Sequence, residues 1–190
     1  STHSGLINML CEIKGILILD NEGRKIFSKY YNAAGPLSTH SGQILFEQQL
    51  FAKASKIGAK NNEVDVVMMD QYIGVFKLVN DLSINLIASI EENSIMLAWL
   101  LDILIEALEL LYKSELDRAK IVDELELMML AIDETLDDGL IMCTDATTIV
   151  ERVIMREGVE RAPLKVKKPE SAFERAIQGA KQAITKSLMR

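Results

Sequence analysis

Residues Val64 to Ile90 read VDVVMM, DQ, YIGVFKLV, ND and LSINLIASI, so that three apolar segments alternate with two polar dipeptides. Short segments rich in Val and Ile and bounded by Asp and Asn are typical of β-strands joined by tight turns. We predict strands over Val64–Met69, Tyr72–Val79 and Leu82–Ile90, with a two-residue turn at Asn80-Asp81. The last segment alternates apolar and polar residues, which predicts one buried face and one polar face.

Two further segments of the same kind precede this group. Ile13–Leu19 is a continuous apolar run that ends in the turn residues Asp20-Asn21-Glu22-Gly23, and the aromatic-rich segment Arg24–Tyr31 follows at once. A short apolar run that ends in turn residues indicates a strand buried on both faces. We therefore predict a hairpin formed by these two segments, which ends before Gly35-Pro36.

The segment between the two groups has a helical period. Its apolar residues recur at i, i+4, i+8 and i+11, and they are Phe46, Leu50, Ala54 and Ile57. This spacing predicts a helix from about Ser41 to Ile57, and Gly58 is well placed to end it.

The chain remains helical after the last predicted strand. The predicted helices are Ile95–Tyr112, Glu115–Leu136, and a third that begins around Thr144–Thr148 and ends at Arg156. Asn93 and Ser94 are N-cap candidates for the first, and Thr148 with Glu151 has capping-box spacing for the third. Asp137-Asp138-Gly139 ends the second. The order β-β-α-β-β-β-α-α-α predicts an α+β fold in which an antiparallel sheet has helices packed against it.

Composition limits the class of protein. The chain has 190 residues, 49% hydrophobic and 26% charged, which suits one globular domain and excludes a disordered chain. The formal charge of −7 argues against nucleic-acid binding, which relies on clustered Lys and Arg. Two cysteines are too few for a disulfide framework, and the first residues lack the layout of a signal peptide. We therefore expect a reducing compartment and no export signal.

Charge divides the chain into a domain and a tail. Residues 1–156 carry 13 basic and 24 acidic side chains, whereas residues 157–190 carry 8 basic and 4 acidic ones. Two of the three prolines lie at this change in charge, which marks a linker. We predict a domain over 13–156, preceded at 1–12 by a flexible N-terminus or a cloning remnant, and followed at 157–190 by a basic linker and a C-terminal helix.

The predicted C-terminal helix is amphipathic. Ser171 and Glu174 have capping-box spacing, and the apolar face comprises Phe173, Ile177, Ala180, Ile184 and Leu188. Because this face is thin, its insertion into a membrane would be weak. We expect the helix to dock on protein, either its own domain or a partner, with an anionic membrane as the minor alternative.

No group of residues predicts a catalytic, cofactor or metal site. His3 and His40 both lie in copies of the segment STHSG, where we expect solvated loops, and Cys11 and Cys143 lack the spacing of a zinc pair. One carboxylate cluster lies at the end of the second predicted helix and comprises Asp133, Glu134, Asp137 and Asp138. It lacks calcium-loop spacing, and because a helix C-terminus disfavours negative charge, we expect a basic partner surface or simple solvation to compensate it.

The helix over Ile95–Tyr112 carries the strongest indication of a protein partner. Its polar residues form a wedge only about 60° wide, and they are Asp102, Glu106, Glu109 and Lys113. Its three acids argue against a membrane span, so protein covers the rest of the helix, either this domain or a partner. For a partner we select the flank that comprises Met96, Trp99, Ile103 and Leu110, rather than the flank that comprises Ile105, Leu108 and Tyr112. Trp99 is the predicted anchor, since interfaces favour tryptophan.

The next predicted helix contains a seam for packing on this one. The seam steps by three and four residues and comprises Val122, Leu125, Met129, Ile132 and Leu136. Leu127, Met128 and Leu130 lie off the seam and also need cover, which adds to the predicted interaction surface.

Two motifs resemble one protein family. ILILDNEGR at Ile16–Arg24 followed by FSKYY at Phe27–Tyr31 resembles the opening of the zeta subunits of coatomer, the COPI vesicle coat. LAIDE at Leu130–Glu134, with Gly139 and Thr144-Asp145, resembles a signature shared by zeta subunits and the sigma small chains of clathrin adaptors. The tail beyond residue 157, which sigma chains generally lack, favours the zeta subunits.

The resemblance implies a fold and a structural function. The fold is a longin-like (SNARE-like) domain, a five-stranded antiparallel sheet flanked by helices. The function is that of a non-enzymatic coat subunit in Golgi-to-ER and intra-Golgi transport, located in the cytoplasm and peripherally on Golgi membranes and COPI-coated vesicles. The implied partners are the large gamma subunit, a helical solenoid, the other coatomer subunits and, indirectly, an ARF-type GTPase. The resemblance implies no cofactor, nucleic acid or small-molecule substrate. The alternatives are a sigma chain and a longin-type regulatory module.

Overall fold

The computed structural model of the chain describes residues 11–157. The strands are β1 Ile13–Asp20, β2 Lys25–Tyr30, β3 Val64–Met69, β4 Tyr72–Val79, β5 Leu82–Ser89, β6 Leu136–Asp137 and β7 Leu140–Ile141. The helices are α1 His40–Ile57, α2 Ser94–Tyr112, α3 Arg118–Asp123, α4 Leu125–Thr135 and α5 Ala146–Glu157, with a short 3-10 turn at Gly35–Ser38. The predicted C-terminal helix, most of the N-terminal segment and the linker lie outside the described residues.

Five strands form one antiparallel sheet in the order β2-β1-β5-β4-β3. Its two local units are the β1–β2 hairpin and the β3–β4–β5 meander, as predicted. They join where β1 pairs with β5, with Ile16 opposite Leu86 and Ile18 opposite Ile84. This pairing places β1 and β5 inside the sheet and leaves β2 and β3 as its edges. The α+β fold and the five-stranded antiparallel sheet are confirmed.

The helices cover opposite faces of the sheet. Phe76 of β4 packs in one cluster with Leu50 of α1 and Leu17 of β1. The neighbouring residue Lys77 donates a hydrogen bond to Asp102 of α2, and neighbouring side chains of a strand point to opposite faces. One face is therefore covered by α1, and the other by α2, which in turn packs against α4 and α5.

The predicted polar face of the last strand is wrong, because β5 is buried on both sides. All residues from Leu82 to Ala88 are buried, Asn85 among them. The Nδ2 atom of Asn85 donates to the carbonyl oxygens of Leu17 (3.1 Å) and Ser83 (3.0 Å). A polar residue can occupy this position because its amide is satisfied there, on the face that α1 covers.

The predicted single helix over Glu115–Leu136 is also wrong, because it is broken at Glu124. Asp117 caps α3 by accepting from the Lys120 amide at 2.9 Å, and Glu124 adopts φ −123° and ψ 48°, outside helical values. The break changes which side chains of α4 face α2. Of the predicted seam, Val122 and Met129 are exposed, whereas the off-seam residues Leu127 and Met128 are buried.

The residues predicted to end that helix form a small hairpin instead. The β6–β7 turn places Asp138 at φ 48° and Gly139 at φ 83°, values that suit a two-residue hairpin turn. The Gly139 carbonyl accepts from the Ile13 amide at 2.8 Å, and a Cβ atom on Gly139 would collide with the Ile13 carbonyl oxygen. The turn is therefore fixed against the start of β1.

Two predictions about helix starts are also corrected. The N-cap of α5 is Asp145, which accepts from the amide (2.8 Å) and hydroxyl (2.6 Å) of Thr148, so Thr148 is not the cap. His40 is not in a loop but is the first residue of α1. The preceding Thr39 caps that helix by accepting from the Gly42 amide at 3.2 Å, so the second STHSG copy has a structural role.

Candidate protein-interaction surface

The C-terminal half of the α2 helix is almost entirely buried by the rest of its own domain. Asn93 caps its start through a bond from the Ile95 amide at 2.9 Å. Its buried residues are Leu97, Leu100, Leu101, Ile103, Leu104, Ile105, Ala107, Leu108 and Leu111. In the polar wedge, Asp102 and Lys113 are exposed and Glu106 and Glu109 are half-buried. The rest of the domain therefore supplies much of the cover that the sequence left open.

The predicted flank divides into an exposed part and a covered part. Met96 is 36% and Trp99 is 46% exposed, whereas Ile103 is only 8% exposed and Leu110 is half-buried. On the rejected flank, Ile105 and Leu108 are buried. The exposed part of this flank thus lies in the first two turns of α2, and Ile103 contributes to the core.

A salt bridge fixes the position of α2 on the sheet. Lys77 Nζ of β4 lies 2.8 Å from Asp102 Oδ1, and the Lys77 side chain is largely buried. Burial raises the pKa of Glu109, the nearby Lys77 opposes this shift, and the acids Glu115 and Glu106 add to it. The bridge aligns the middle of α2 with one position along β4.

The edge strand β3 carries further exposed apolar side chains on the side of the sheet that α2 covers. Val66 lies opposite Val75 and Met68 opposite Ile73, on the face of β4 that also carries Lys77. Because α2 packs chiefly on β4 and β5, this face of β3 stays open, and Val66 is 40% and Met68 55% exposed. Met68 and Val66 therefore lie on the same side of the sheet as α2.

We name this region the β3–α2 surface and define it by Val66, Met68, Ile95, Met96 and Trp99. Ile95 is its most exposed member, at 77%. The five side chains are apolar, and two are methionines, which adapt to irregular partners. Tryptophan is enriched in the energetic centres of interfaces, and exposed apolar patches mark interaction sites. The surface is suited to bind protein.

Sequence reasoning found two of these five residues and missed three. Ile95 follows the N-cap directly and shows in the sequence as an apolar residue in the first helical turn. Val66 and Met68 belong to a strand with apolar residues on both faces, and this local pattern by itself predicts a buried strand. Only the position of β3 at the sheet edge leaves one face open, and strand order is not encoded in the local pattern.

Two of the four acids in the carboxylate cluster are compensated from within the domain. Lys29 Nζ lies 2.7 Å from Asp133, and Glu134, which is buried, binds Arg156 Nε at 2.7 Å and Arg152 at 3.9 Å. The compensation of these two acids comes from β2 and α5 of the same domain and not from a partner surface. Across residues 11–157, no three His, Cys, Asp or Glu side chains are grouped so that they could hold a metal ion.

The two cysteines are free and buried. Burial, together with the nearby Glu92 carboxylate, raises the pKa of Cys11 to about 12, so its thiol is protonated at neutral pH.

Within residues 11–157 no helix is both long and apolar enough to cross a bilayer. The β3–α2 surface is the strongest functional candidate in the described part.

Comparison with known proteins gives consistent similarities. The family described as the clathrin adaptor complex small chain matches residues 12–160. Coatomer subunit zeta-1 of Arabidopsis thaliana is 35% identical and covers 94% of this chain and 97% of its own length. Coatomer subunit zeta-1 of Homo sapiens is 31% identical over 95% of both chains. A chain from a homology model of the full-length AP-3 complex has the same fold, with a TM-score of 0.57 at 14% identity over 77% of this chain and 94% of its own.

Proposed function

This chain belongs to the clathrin adaptor complex small-chain family, and we propose that it is a zeta-type subunit of the coatomer coat. The relatives named coatomer subunit zeta match it nearly end to end in plant and human proteins, which supports this member of the family over a sigma chain. The role is structural rather than catalytic. The chain contributes a rigid folded domain with an exposed apolar surface to a larger assembly.

Within that assembly we propose that the large gamma subunit is its direct partner. The pair would act in the cytoplasm, on Golgi membranes and coated vesicles, where an ARF-type GTPase recruits the coat. A small chain of this kind needs a stable surface for a permanent partner, and such interfaces are apolar at their centre. The β3–α2 surface meets that requirement, since it is apolar and lies beside an open sheet edge.

The single observation that carries this proposal is the exposure of Trp99. A helix that buries nine side chains in its own domain leaves its one tryptophan 46% exposed. In a monomer this exposure has a cost in free energy, because the apolar area of the indole remains in water. A partner that covers the indole removes that cost, and tryptophan anchors commonly contribute 2 kcal/mol or more, roughly 30-fold in affinity.

The test is the affinity of the full chain for the gamma subunit in purified form. We expect Trp99→Ala to weaken the complex at least tenfold and to leave the melting temperature of the free chain nearly unchanged. The matched control is Val122→Ala, since Val122 is 49% exposed but lies on α3, outside the β3–α2 surface. This control should leave the affinity unchanged.

Three outcomes would contradict the proposal. If Trp99→Ala lowers the melting temperature strongly and leaves the affinity per folded molecule unchanged, Trp99 is an ordinary packing residue. If the chain recovers an adaptor large chain from cytosol rather than the gamma subunit, it is a sigma chain. If the chain recovers neither large chain from cytosol, the longin-type regulatory module is favoured.

A further inference from the structure

A polar cleft of about 640 Å³ lies on the domain between β2, the β6–β7 turn and α5. Its walls include Lys29 of β2, the turn residues Asp137 and Asp138, and Arg152 and Arg156 of α5. It is remote in sequence from the β3–α2 surface and shares no residue with it. The proposed function therefore makes no use of the cleft.

The charges around the cleft are unequally paired. Asp133 pairs with Lys29, and Glu134 is shared by Arg152 and Arg156. In the part of the chain that the structure describes, the carboxylates of Asp137 and Asp138 form no ion pair. The unpaired negative charge is therefore concentrated at the turn end of the cleft.

The turn that carries these carboxylates is held in place. The Asp138 carbonyl accepts from Asn32 Nδ2 at 3.3 Å, and the adjacent Gly139 carbonyl accepts from the Ile13 amide. The backbone that carries the two acids is thus fixed before any ligand arrives, which lowers the ordering cost of binding.

Tyr31 supplies a second, independent indication of a ligand. It lines the same cleft, is only 4% exposed, and its hydroxyl is the one buried side-chain polar atom among residues 11–157 that has no hydrogen-bond partner. Buried polar groups without a partner are rare and call for an explanation. Burial and the carboxylates of Asp133 and Asp137 raise the pKa of Tyr31, so the hydroxyl keeps its proton and can donate it in a hydrogen bond.

We propose that this cleft binds a partner polypeptide through one arginine or lysine side chain, whose cationic head pairs with Asp137 and Asp138. The exposed side chain of Met142 lines the cleft and offers apolar contact for the aliphatic stem. The Tyr31 hydroxyl donates to a backbone carbonyl of the same segment. An anion fits less well, because all three cations of the cleft are already paired and the two free acids repel it.

The experiment uses the full chain labelled with 15N and two blocked pentapeptides as probes. The first is acetyl-Gly-Gly-Arg-Gly-Gly-amide, and the second has citrulline, the neutral isostere, in place of arginine. We expect the arginine peptide to shift amide resonances of residues 29–31, 137–142 and 152–156, with a dissociation constant in the millimolar range. The citrulline peptide should bind at least threefold more weakly.

Two variants locate the interaction. Asp137→Asn with Asp138→Asn removes both charges and keeps the turn, since Asn tolerates the positive φ of residue 138. It should abolish the difference between the two peptides. Tyr31→Phe should weaken binding of the arginine peptide and leave the melting temperature unchanged or higher, because the hydroxyl has no partner to lose.

The proposal is overturned if the two peptides shift the same resonances equally, if the arginine peptide produces no local shifts, or if the double variant responds like the parent. It is also overturned if inorganic phosphate shifts these resonances and the arginine peptide does not. The double variant should still bind the gamma subunit through Trp99, so failure here is distinguishable from failure of the proposed function.

Discussion

The carboxylate of Asp20 accepts a hydrogen bond from Arg24 Nε at 2.7 Å although only 1% of Asp20 is exposed. It also accepts from the backbone amides of Glu22 and Arg24, each at 2.9 Å, and thereby closes the β1–β2 turn. Arg118 Nε of α3 lies 3.6 Å from the same carboxylate. One buried acid thus closes the first hairpin and connects it to a helix distant in sequence.

The first prediction concerns the pH dependence of this acid. Burial alone would raise the pKa of Asp20, but hydrogen bonds from the Arg24 side chain and from the Arg24 and Glu22 amides outweigh it and hold the pKa below its ordinary value. A lowered folded-state pKa adds stability above the unfolded pKa of about 3.9, and this stability is lost as pH falls through the folded value. Asp20→Asn should cost about 2 kcal/mol at pH 7.

The contribution of Asp20 to stability is measured by urea unfolding of the parent and of Asp20→Asn between pH 7 and pH 2.5. The difference in unfolding free energy should be constant down to about pH 5 and shrink below it. Other carboxylates titrate equally in both proteins, so the difference isolates Asp20. A difference that does not change with pH would contradict the assignment.

The second prediction compares two glycines with positive φ. Gly139 has φ 83° and no room for a Cβ atom, whereas Gly58, which ends α1, has φ 69° and no atom within 4 Å of a Cβ position. Gly58→Ala should cost about 1 kcal/mol from backbone conformation alone. Gly139→Ala should cost at least about 3 kcal/mol, because steric strain adds to that penalty. Thermal and urea unfolding measure both, and equal costs would show that the β6–β7 turn shifts freely.

The third prediction concerns the cap of α5. The bonds from the Thr148 amide and hydroxyl lower the pKa of Asp145, so the carboxylate is ionised at neutral pH. Asp145→Ala should destabilise the domain by about 1 kcal/mol, and Asp145→Asn should cost much less because asparagine caps nearly as well. The measurement is the unfolding free energy of each variant at pH 7, compared with that of the parent. If Thr148→Ala costs more than Asp145→Ala, the helix start is misplaced.

The fourth prediction concerns the basic C-terminal segment. A peptide that spans residues 157–190, with 8 basic and 4 acidic side chains, should float only weakly with anionic vesicles at physiological salt. Basic residues contribute about 1 kcal/mol each near such a surface, but the four acids and the thin apolar face work against insertion. Robust flotation would overturn docking on protein in favour of a membrane contact.

Local patterns were sufficient where one residue type decides the structure. The bounds of β3 and β4 are those predicted, since Asp70 and Asn80 both adopt the positive φ that the flanking turns require. The end of α1 at Gly58 follows for the same reason. In these places the conformation depends on neighbours in the sequence.

Patterns failed where a distant contact decides the structure. The break at Glu124 separates two segments that each have helical periodicity, and periodicity does not register a change of direction between them. Ile103 and Met96 occupy equivalent positions on a helical wheel, yet Ile103 is buried and Met96 is exposed. The difference comes from the packing of the domain around α2. Trp99 is selected from the sequence by its residue type, whereas its exposed fraction follows only from the packing of α2 in the folded domain.

The pairing of β1 with β5 has a consequence for synthesis on the ribosome. β1 emerges early, but its inner hydrogen-bonding edge has no partner until β5 has been translated. During that interval an apolar strand offers its edge to any other nascent or misfolded chain. A chain that stalls between α1 and β5 would be a fragment prone to aggregation, so translation of residues 82–89 without delay protects the nascent protein.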